Sequence, residues 1–351
     1  MPSLNTLRET CLEALRRAGT PEENAALQVD LLLEAELRNH VSHGILRLPR
    51  LIERIANGVA DPVTTGRARW RGETLLEVDG QMGLGPVVAS AAIAQIHEKA
   101  RHTGVALAAI RNCNHLGMMA WYAERVAREG QVLLALTTSE ALVHPWGGRH
   151  AMIGTNPIAI GVPAQPRPFV MDMATSLVSM GKIHDHANRG RPIPEGWALD
   201  ADGNPTTDAR AATKGAIAPF GGPKGYALGL GFEVLVAALT ASALGTDVAG
   251  TLDSEKVCNK GDLFIVMEPA TGAAAAVSAY LDTIRAMAPA DPAQPVQVPG
   301  DRASATRQRR AAHDLDVDEG IWARIRALAA EPASQAAAQP FAPVENRPEK
   351  R

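Results

Sequence analysis

The chain is 351 residues long, 46% hydrophobic and 21% charged, and its 35 Lys+Arg against 38 Asp+Glu leave a formal charge of -3. This balance excludes collagen-like, disordered and disulfide-stapled classes, and the length suits two or three domains whose cores cover about 75% of the unfolded surface. No basic stripe offers the clustered Lys and Arg that nucleic-acid phosphates require, so no nucleic-acid partner is expected.

Aromatics are only 4%, so the core is built from Ala, Leu, Val and Ile, a bias towards helices. Cys11, Cys113 and Cys258 are odd in number and widely spaced, which fits neither a disulfide framework nor a paired-cysteine metal site. The N-terminal run MPSLNTLRETCLEALRR breaks every apolar stretch with charge, and no run of roughly 18 apolar residues occurs. The expectation is a cytoplasmic protein without a secretory leader or membrane span.

In chain order, Leu4, Leu7, Cys11, Leu12 and Leu15 recur at helical spacing behind Ser3 as cap, with Gly19 as the stop. A second helix is predicted from Thr20-Pro21-Glu22-Glu23 to about Arg38, with Thr20 and Glu23 exchanging capping bonds. After the polar run from Asn39 to Gly44, a further helical pattern takes in Leu48, Leu51, Ile52 and Ile55 and ends at Asn57-Gly58. Pro49 requires that helix to begin near Arg47 or to kink there.

From about residue 74 short apolar strands alternate with Ala-rich helices. Strands are expected at Thr74 to Val78, Val105 to Ile110, Val132 to Thr138, Pro157 to Val162, Phe169 to Met173 and Leu263 to Met267. Helices are expected at Val87 to Ala100, Met118 to Arg128, Gly225 to Leu244 and Ala273 to Met287. A Gly/Pro/Asp-rich excursion fills Arg189 to Pro223, and the aperiodic stretch at 332–351 reads as a disordered tail.

Several polar groupings carry candidate chemistry. The turn Gly80-Gln81-Met82-Gly83-Leu84-Gly85 resembles a dinucleotide fingerprint but has Val88 where the third glycine belongs, so no Rossmann site is expected there. Ser42-His43-Gly44 with Arg47 suits an anion at a helix start, where His43 moves a proton and Arg47 forks a carboxylate; the plainer reading is a helix cap with solvated charges. Asn112 to Gly117 places His115 on a loop between a strand and a helix, as a second acid/base, as a cofactor contact or as a capping turn. Lys224, behind Gly221-Gly222-Pro223, either meets a phosphate or carboxylate at a helix start or stands exposed on a tight turn. His184-Asp185-His186 lies in a segment expected to be flexible, with no third ligand cluster nearby, so no metal is expected.

Taken together, these segments resemble the malate/L-lactate dehydrogenase-like family of NAD(P)-dependent oxidoreductases. Its motifs here are Ser42-His43-Gly44 with Arg47, Asn114-His115-Leu116-Gly117, Gly154-Thr155-Asn156-Pro157, Met171 to Ser176, Gly181-Lys182-Ile183, Pro205 to Asp208 and Gly222 to Tyr226. The resemblance implies an α/β, non-Rossmann fold whose predominantly antiparallel sheet binds NAD or NADP, and a homodimer. It further implies a helical substrate and dimerisation region at 1–73 joined by 301–330, and an NAD(P)-binding region at 74–300 with a subdomain inserted at about 120–270.

By the same resemblance the substrate is a small carboxylate, held by Arg47 with Thr155 nearby. His43 and His115 are the candidate acid/bases, with His43 favoured for imino-acid members, His115 for hydroxy-acid members, and Ser42 assisting. The cofactor contacts implied are His115, Leu116, Gly117, Met118, Met119, Ser139, Asp172, Met173, Ala174, Lys224, Gly300, Asp301 and Arg302. In the imino-acid reductases an aspartate occupies the position of Lys182. A lysine there removes that relay and offers charge for an alkoxide or second anion, so the resemblance favours a 2-hydroxy acid/2-oxo acid couple over a cyclic imino acid. A non-catalytic dinucleotide- or anion-binding protein is the alternative from another class.

Overall fold

In the computed structural model, which describes residues 2–330, the Ser3 hydroxyl accepts the Thr6 amide at 3.1 Å and starts α1 (Leu4–Arg17). At its far end the Gly19 and Thr20 amides donate to the Arg16 and Leu15 carbonyls at 2.9 and 3.0 Å, with Gly19 left-handed at φ +85°. Thr20 is thereby committed to the end of α1, and the expected capping box does not form. Pro21 takes the cap position of α2 (Glu22–Leu37), and Thr20 Oγ1 is buried without a partner.

The next helix, α3 (Leu48–Ala56), carries Pro49 in its first turn, the one place where a missing N–H costs nothing. Ahead of it Val41–His43 and Ile45–Arg47 form separate 3-10 turns, with Gly44 extended between them. The α-helix begins at Leu48, next to Arg47, and none starts at Ser42, so anion attraction there falls to side chains.

The strands and helices that follow are β1 (Arg67–Arg71), β2 (Leu75–Asp79), α4 (Gly85–Thr103), β3 (Val105–Arg111), α5 (Ala120–Arg128), β4 (Val132–Thr137), β5 (Ile158–Val162) and β6 (Phe169–Met173). Next come α6 (Met180–Asn188), β7 (Ala198–Leu199), β8 (Pro205–Thr206), α7 (Ala209–Ala212), β9 (Ala216–Ile217) and α8 (Pro223–Thr240). The chain continues through β10 (Gly261–Met267), α9 (Ala273–Arg285), α10 (Asp301–Ala311) and α11 (Glu319–Ala330). The tail expected at 332–351 lies outside the described residues.

The result is a mixed α/β fold on a seven-stranded sheet, ordered β1-β2-β3-β10-β4-β5-β6 and antiparallel except where β2 runs beside β3. Strand β10, late in the chain, pairs centrally: Phe264 stands opposite Ala108 on one side and Ala135 on the other. Its alternation divides the core. Phe264 and Val266 join the cluster beneath α4 and α5, while Leu263 and Ile265 face the cluster that includes Val236 and Leu239 of α8. A second cluster welds α1, α2 and α3 to Leu315 and to Ile325 of α11.

Two segments depart from the sequence reading. The span around His184, where no helix is predicted, is helical, because the Ser179 hydroxyl accepts the Lys182 amide at 3.3 Å and starts α6. Helix α8 ends at Thr240 rather than Leu244, because Ala241 turns left-handed at φ +54°. Strand β1, all charge but for Ala68 and Trp70, carries too little apolar alternation to be read in advance; it is an exposed sheet edge, where charge discourages further pairing. Among the described residues no helix is long and apolar enough to cross a membrane.

Candidate active site

The 3-10 turns before α3 and the loop after β3 meet in a pocket lined by His43, Arg47, Arg50, Arg54, Asn114, His115 and Thr251. The second of these turns, Ile45–Arg47, is held at its start by Glu36 of α2, whose Oε1 accepts the Ile45 amide at 2.9 Å. A Cβ on Gly44 would lie 2.0 Å from that oxygen, so any larger residue would push the Glu36 carboxyl off the Ile45 amide. Burial raises the Glu36 carboxyl above its ordinary range.

On the other wall, the Asn114 amide group donates to the Met82 and Gly83 carbonyls at 2.5 and 3.1 Å, and its oxygen accepts Arg54 Nε at 3.0 Å. A Cβ on Gly85 would stand 2.2 Å from the His115 carbonyl oxygen. The glycine turn that failed as a nucleotide fingerprint thus serves to let α4 press against the His115 loop. Gly117, at φ +74°, abuts Leu31, and the Tyr122 hydroxyl donates to the Leu116 carbonyl at 2.7 Å.

The two histidines lie with ring centroids 5.4 Å apart. Ser42 Oγ is 3.0 Å from His43 Nδ1, whereas His115 Nδ1 accepts the Gly117 amide at 2.9 Å. Burial, then the charge of Arg47, pushes the His43 pKa down to about 3, and burial with Arg47 and His43 holds His115 well below its ordinary value. Both imidazoles are therefore neutral at physiological pH. Arg47 is lowered to about 10, mainly by burial, and remains a cation. Its Nε donates to the Ser42 carbonyl at 2.7 Å and its Nη1 to the Thr251 carbonyl at 3.5 Å, leaving an edge of the fork for a ligand.

The other expected site residues divide by what already holds them. Thr155 and Ser139 pair their hydroxyls at 3.2 Å away from the pocket lining, but the neighbouring Glu140 accepts the Thr251 amide and hydroxyl at 2.7 and 3.0 Å. The side chains of Leu116, Met118 and Met119 are buried in the core, so only their backbone can meet a ligand. Asp172 accepts the Ala120 amide at 2.7 Å and caps α5; burial pushes its pKa up to about 6. Asp301 pairs with Arg167 and Arg285, and Gly300 packs against Val170. Met173, Lys224 and Arg302 are exposed, and Ala174 is half-buried. Lys182 is not among the pocket residues: its Nζ rests 4.9 Å over the Trp197 ring.

Sequence reasoning passed over Arg50, Arg54, Glu140 and Glu233. Buried Glu233 accepts the Asn156 side chain at 2.6 Å and the Gly154 and Gly245 amides at 3.1 and 2.6 Å, which fixes the turn carrying Thr155. Its signal was legible as a lone carboxylate in an apolar helix.

A model of the family described as malate/L-lactate dehydrogenase matches residues 3–326. The chain belongs to the malate/L-lactate dehydrogenase family. It is 36% identical to the L-sulfolactate dehydrogenase of Methanothermobacter thermautotrophicus over 91% of this chain and 93% of that one. It is 33% identical to a Delta(1)-pyrroline-2-carboxylate reductase of Pseudomonas fluorescens over 92% of this chain and 98% of the relative. The crystal structure of a dehydrogenase from Sinorhizobium meliloti superposes with a TM-score of 0.90 at 51% identity, covering 94% of this chain and 98% of that one. These family members differ in substrate, so the pocket itself must discriminate.

Proposed function

We propose that this chain is an NAD(P)-dependent oxidoreductase that passes a hydride between the nicotinamide and C2 of a small 2-hydroxy acid, forming the 2-oxo acid. The observation that carries the reading is Arg47 beside two neutral histidines in one pocket. A guanidinium fork binds a carboxylate bidentately, and a neutral imidazole accepts the hydroxyl proton.

The residues fit a dinucleotide. Helix α8 starts at Gly222 with no side-chain cap, so the amides of Lys224 and Gly225 lack helical partners and, with the Lys224 ammonium, suit a phosphate. Arg302 offers a further exposed cation, and Ser139, Met173, Ala174 and the backbone from His115 to Met119 complete the contacts we assign. Asp172 and Asp301 act by holding that surface in place. When bound, the nicotinamide supplies the hydride acceptor. The cofactor thus lies on a largely antiparallel sheet rather than on a Rossmann turn.

Hydrogen bonding favours a division of the histidines that departs from the expectation of His115 as the acid/base for a hydroxy acid. Because His115 Nδ1 accepts the Gly117 amide, its proton sits on Nε2, making that nitrogen a donor that polarises the C2 oxygen. His43 Nδ1 meets a hydroxyl that can accept its proton, which leaves Nε2 free as the base. The substrate carboxylate offsets Arg47 and so raises the proton affinity of His43 when it is needed. In place of a relay aspartate, Lys182 offers His43 no anion, which favours a hydroxy acid over an imino acid.

Substrate anchoring belongs to 1–73 with 301–330, and cofactor binding to 74–300 with Asp301 and Arg302 at the boundary, in a cytoplasmic homodimer. The apolar face of α8, where Leu228, Val234 and Leu235 are 41, 52 and 44% exposed, is the surface we assign to the partner copy. A screen of malate, lactate, sulfolactate, ureidoglycolate and cyclic imino acids with NAD and NADP tests the function. Reduced cofactor formed from a 2-hydroxy acid is expected. Turnover of imino acids alone, or cofactor binding with no turnover, overturns it.

A further inference from the structure

The pocket holds more positive charge than one carboxylate neutralises. Arg47, Arg50 and Arg54 follow one another at spacings of three and four residues and all line it. Arg54 is fully engaged: beyond Asn114, it donates to the carbonyls of Asp253 at 2.7 Å, Lys256 at 3.1 Å and Val59 at 3.3 Å. Arg47 is half engaged with the Ser42 and Thr251 carbonyls. Arg50 is exposed and, among the described residues, makes no hydrogen bond or ion pair.

The acids nearby do not answer it. Glu140 partly offsets Arg47, and one of its oxygens accepts the Thr251 amide and hydroxyl and the Leu252 amide. Behind His115, Asp262 is paired with Lys260. A substrate with a single carboxylate would satisfy Arg47 and leave Arg50 facing the pocket uncompensated. Side chains three residues apart on a helical turn start only about 5–6 Å from each other, a separation that a short diacid bridges.

We propose that Arg50 receives a second anionic group of the substrate, so that the pocket selects 2-hydroxy acids bearing a carboxylate or sulfonate on the neighbouring carbon. This rests on the oxidoreductase reading and narrows its substrate. It also moves second-anion recognition from Lys182, whose ammonium lies over Trp197, to a side chain that lines the pocket.

The test compares malate with 2-hydroxybutanoate, which has the same chain length and one carboxylate, in the intact protein, Arg50→Gln and Lys182→Gln. The kcat/KM ratio of malate to 2-hydroxybutanoate should exceed ten in the intact protein and fall about tenfold to a hundredfold in Arg50→Gln, the loss of one charge-assisted contact. It should hold in Lys182→Gln. A ratio near one in the intact protein, an unchanged ratio in Arg50→Gln, or a loss that follows Lys182 instead overturns the proposal. A second arm needs no turnover: succinate should raise Tm more than butyrate does, and Arg50→Gln should erase that difference. If no acid is oxidised while succinate still protects through Arg50, the oxidoreductase reading fails and the dianion site stands. Equal protection by succinate and butyrate overturns the dianion site by itself.

Discussion

His43 and His115 share the pocket with centroids 5.4 Å apart, yet their Nδ1 atoms meet opposite chemistry, a hydroxyl at His43 and a backbone N–H at His115. A hydroxyl accommodates either tautomer, whereas an amide donor demands an unprotonated nitrogen. His43→Ala should therefore slow single-turnover hydride transfer by about 10²–10⁴, the usual worth of a general base. His115→Gln keeps a donor and should lose less. Stopped-flow formation of reduced cofactor checks this; a larger loss at His115 reverses the assignment.

The charge around His43 sets a pH dependence. A base works unprotonated, and in the unliganded pocket burial and Arg47 lower the His43 pKa to about 3. The kcat/KM profile for oxidation, which reports the free enzyme, should show no acid limb near the ordinary value of about 6.5. In the complex the substrate carboxylate offsets Arg47, so the limb in kcat should stand at higher pH than that in kcat/KM. Rate profiles from pH 4 to 9 decide it, and coincident limbs near 6.5 would contradict the electrostatic account.

How much of this was legible beforehand follows the range of the forces involved. Ser3, Gly19 and Pro49 act on their own turns, and the ends of α1 and α3 were readable from them. Thr20 misled because two helix ends compete for one residue, and the glycine-centred closure of α1 takes it. The central place of β10 and the alliance of α1 with α11 arise from pairing between distant segments, which no local pattern encodes. In the site, the Ser42-His43 and Asn114-His115 clusters stood out as polar breaks in apolar texture. Arg50 and Glu233 did not, because their meaning depends on which donors and acceptors surround them after folding.

Glu233 supplies a stability prediction. Its two oxygens accept the Asn156 side chain and the amides of Gly154 and Gly245. Glu233→Leu leaves these donors without partners, each a penalty of about 1–3 kcal/mol, so the loss should be on the order of 3 kcal/mol or more. Glu233→Gln retains one acceptor and should fall in between. Urea unfolding of the two variants measures this, and a Leu variant as stable as the parent would show that the bonds contribute nothing.

Gly117 joins stability to chemistry. Its backbone is left-handed at φ +74°, and an added Cβ would lie 2.0 Å from Leu31 Cδ2, so Gly117→Ala strains the loop and forces Leu31 to move, at a cost of about 2 kcal/mol. The same amide donates to His115 Nδ1, so the shift also loosens the bond that fixes the His115 tautomer. With that bond weakened, the proton can move to Nδ1 and the pocket loses its donor to the C2 oxygen. Gly117→Ala should therefore lower kcat as well as Tm. Unfolding midpoints and steady-state rates of this variant and the parent separate the effects: a Gly117→Ala enzyme that is destabilised yet fully active would show that the amide does not set the protonation of His115.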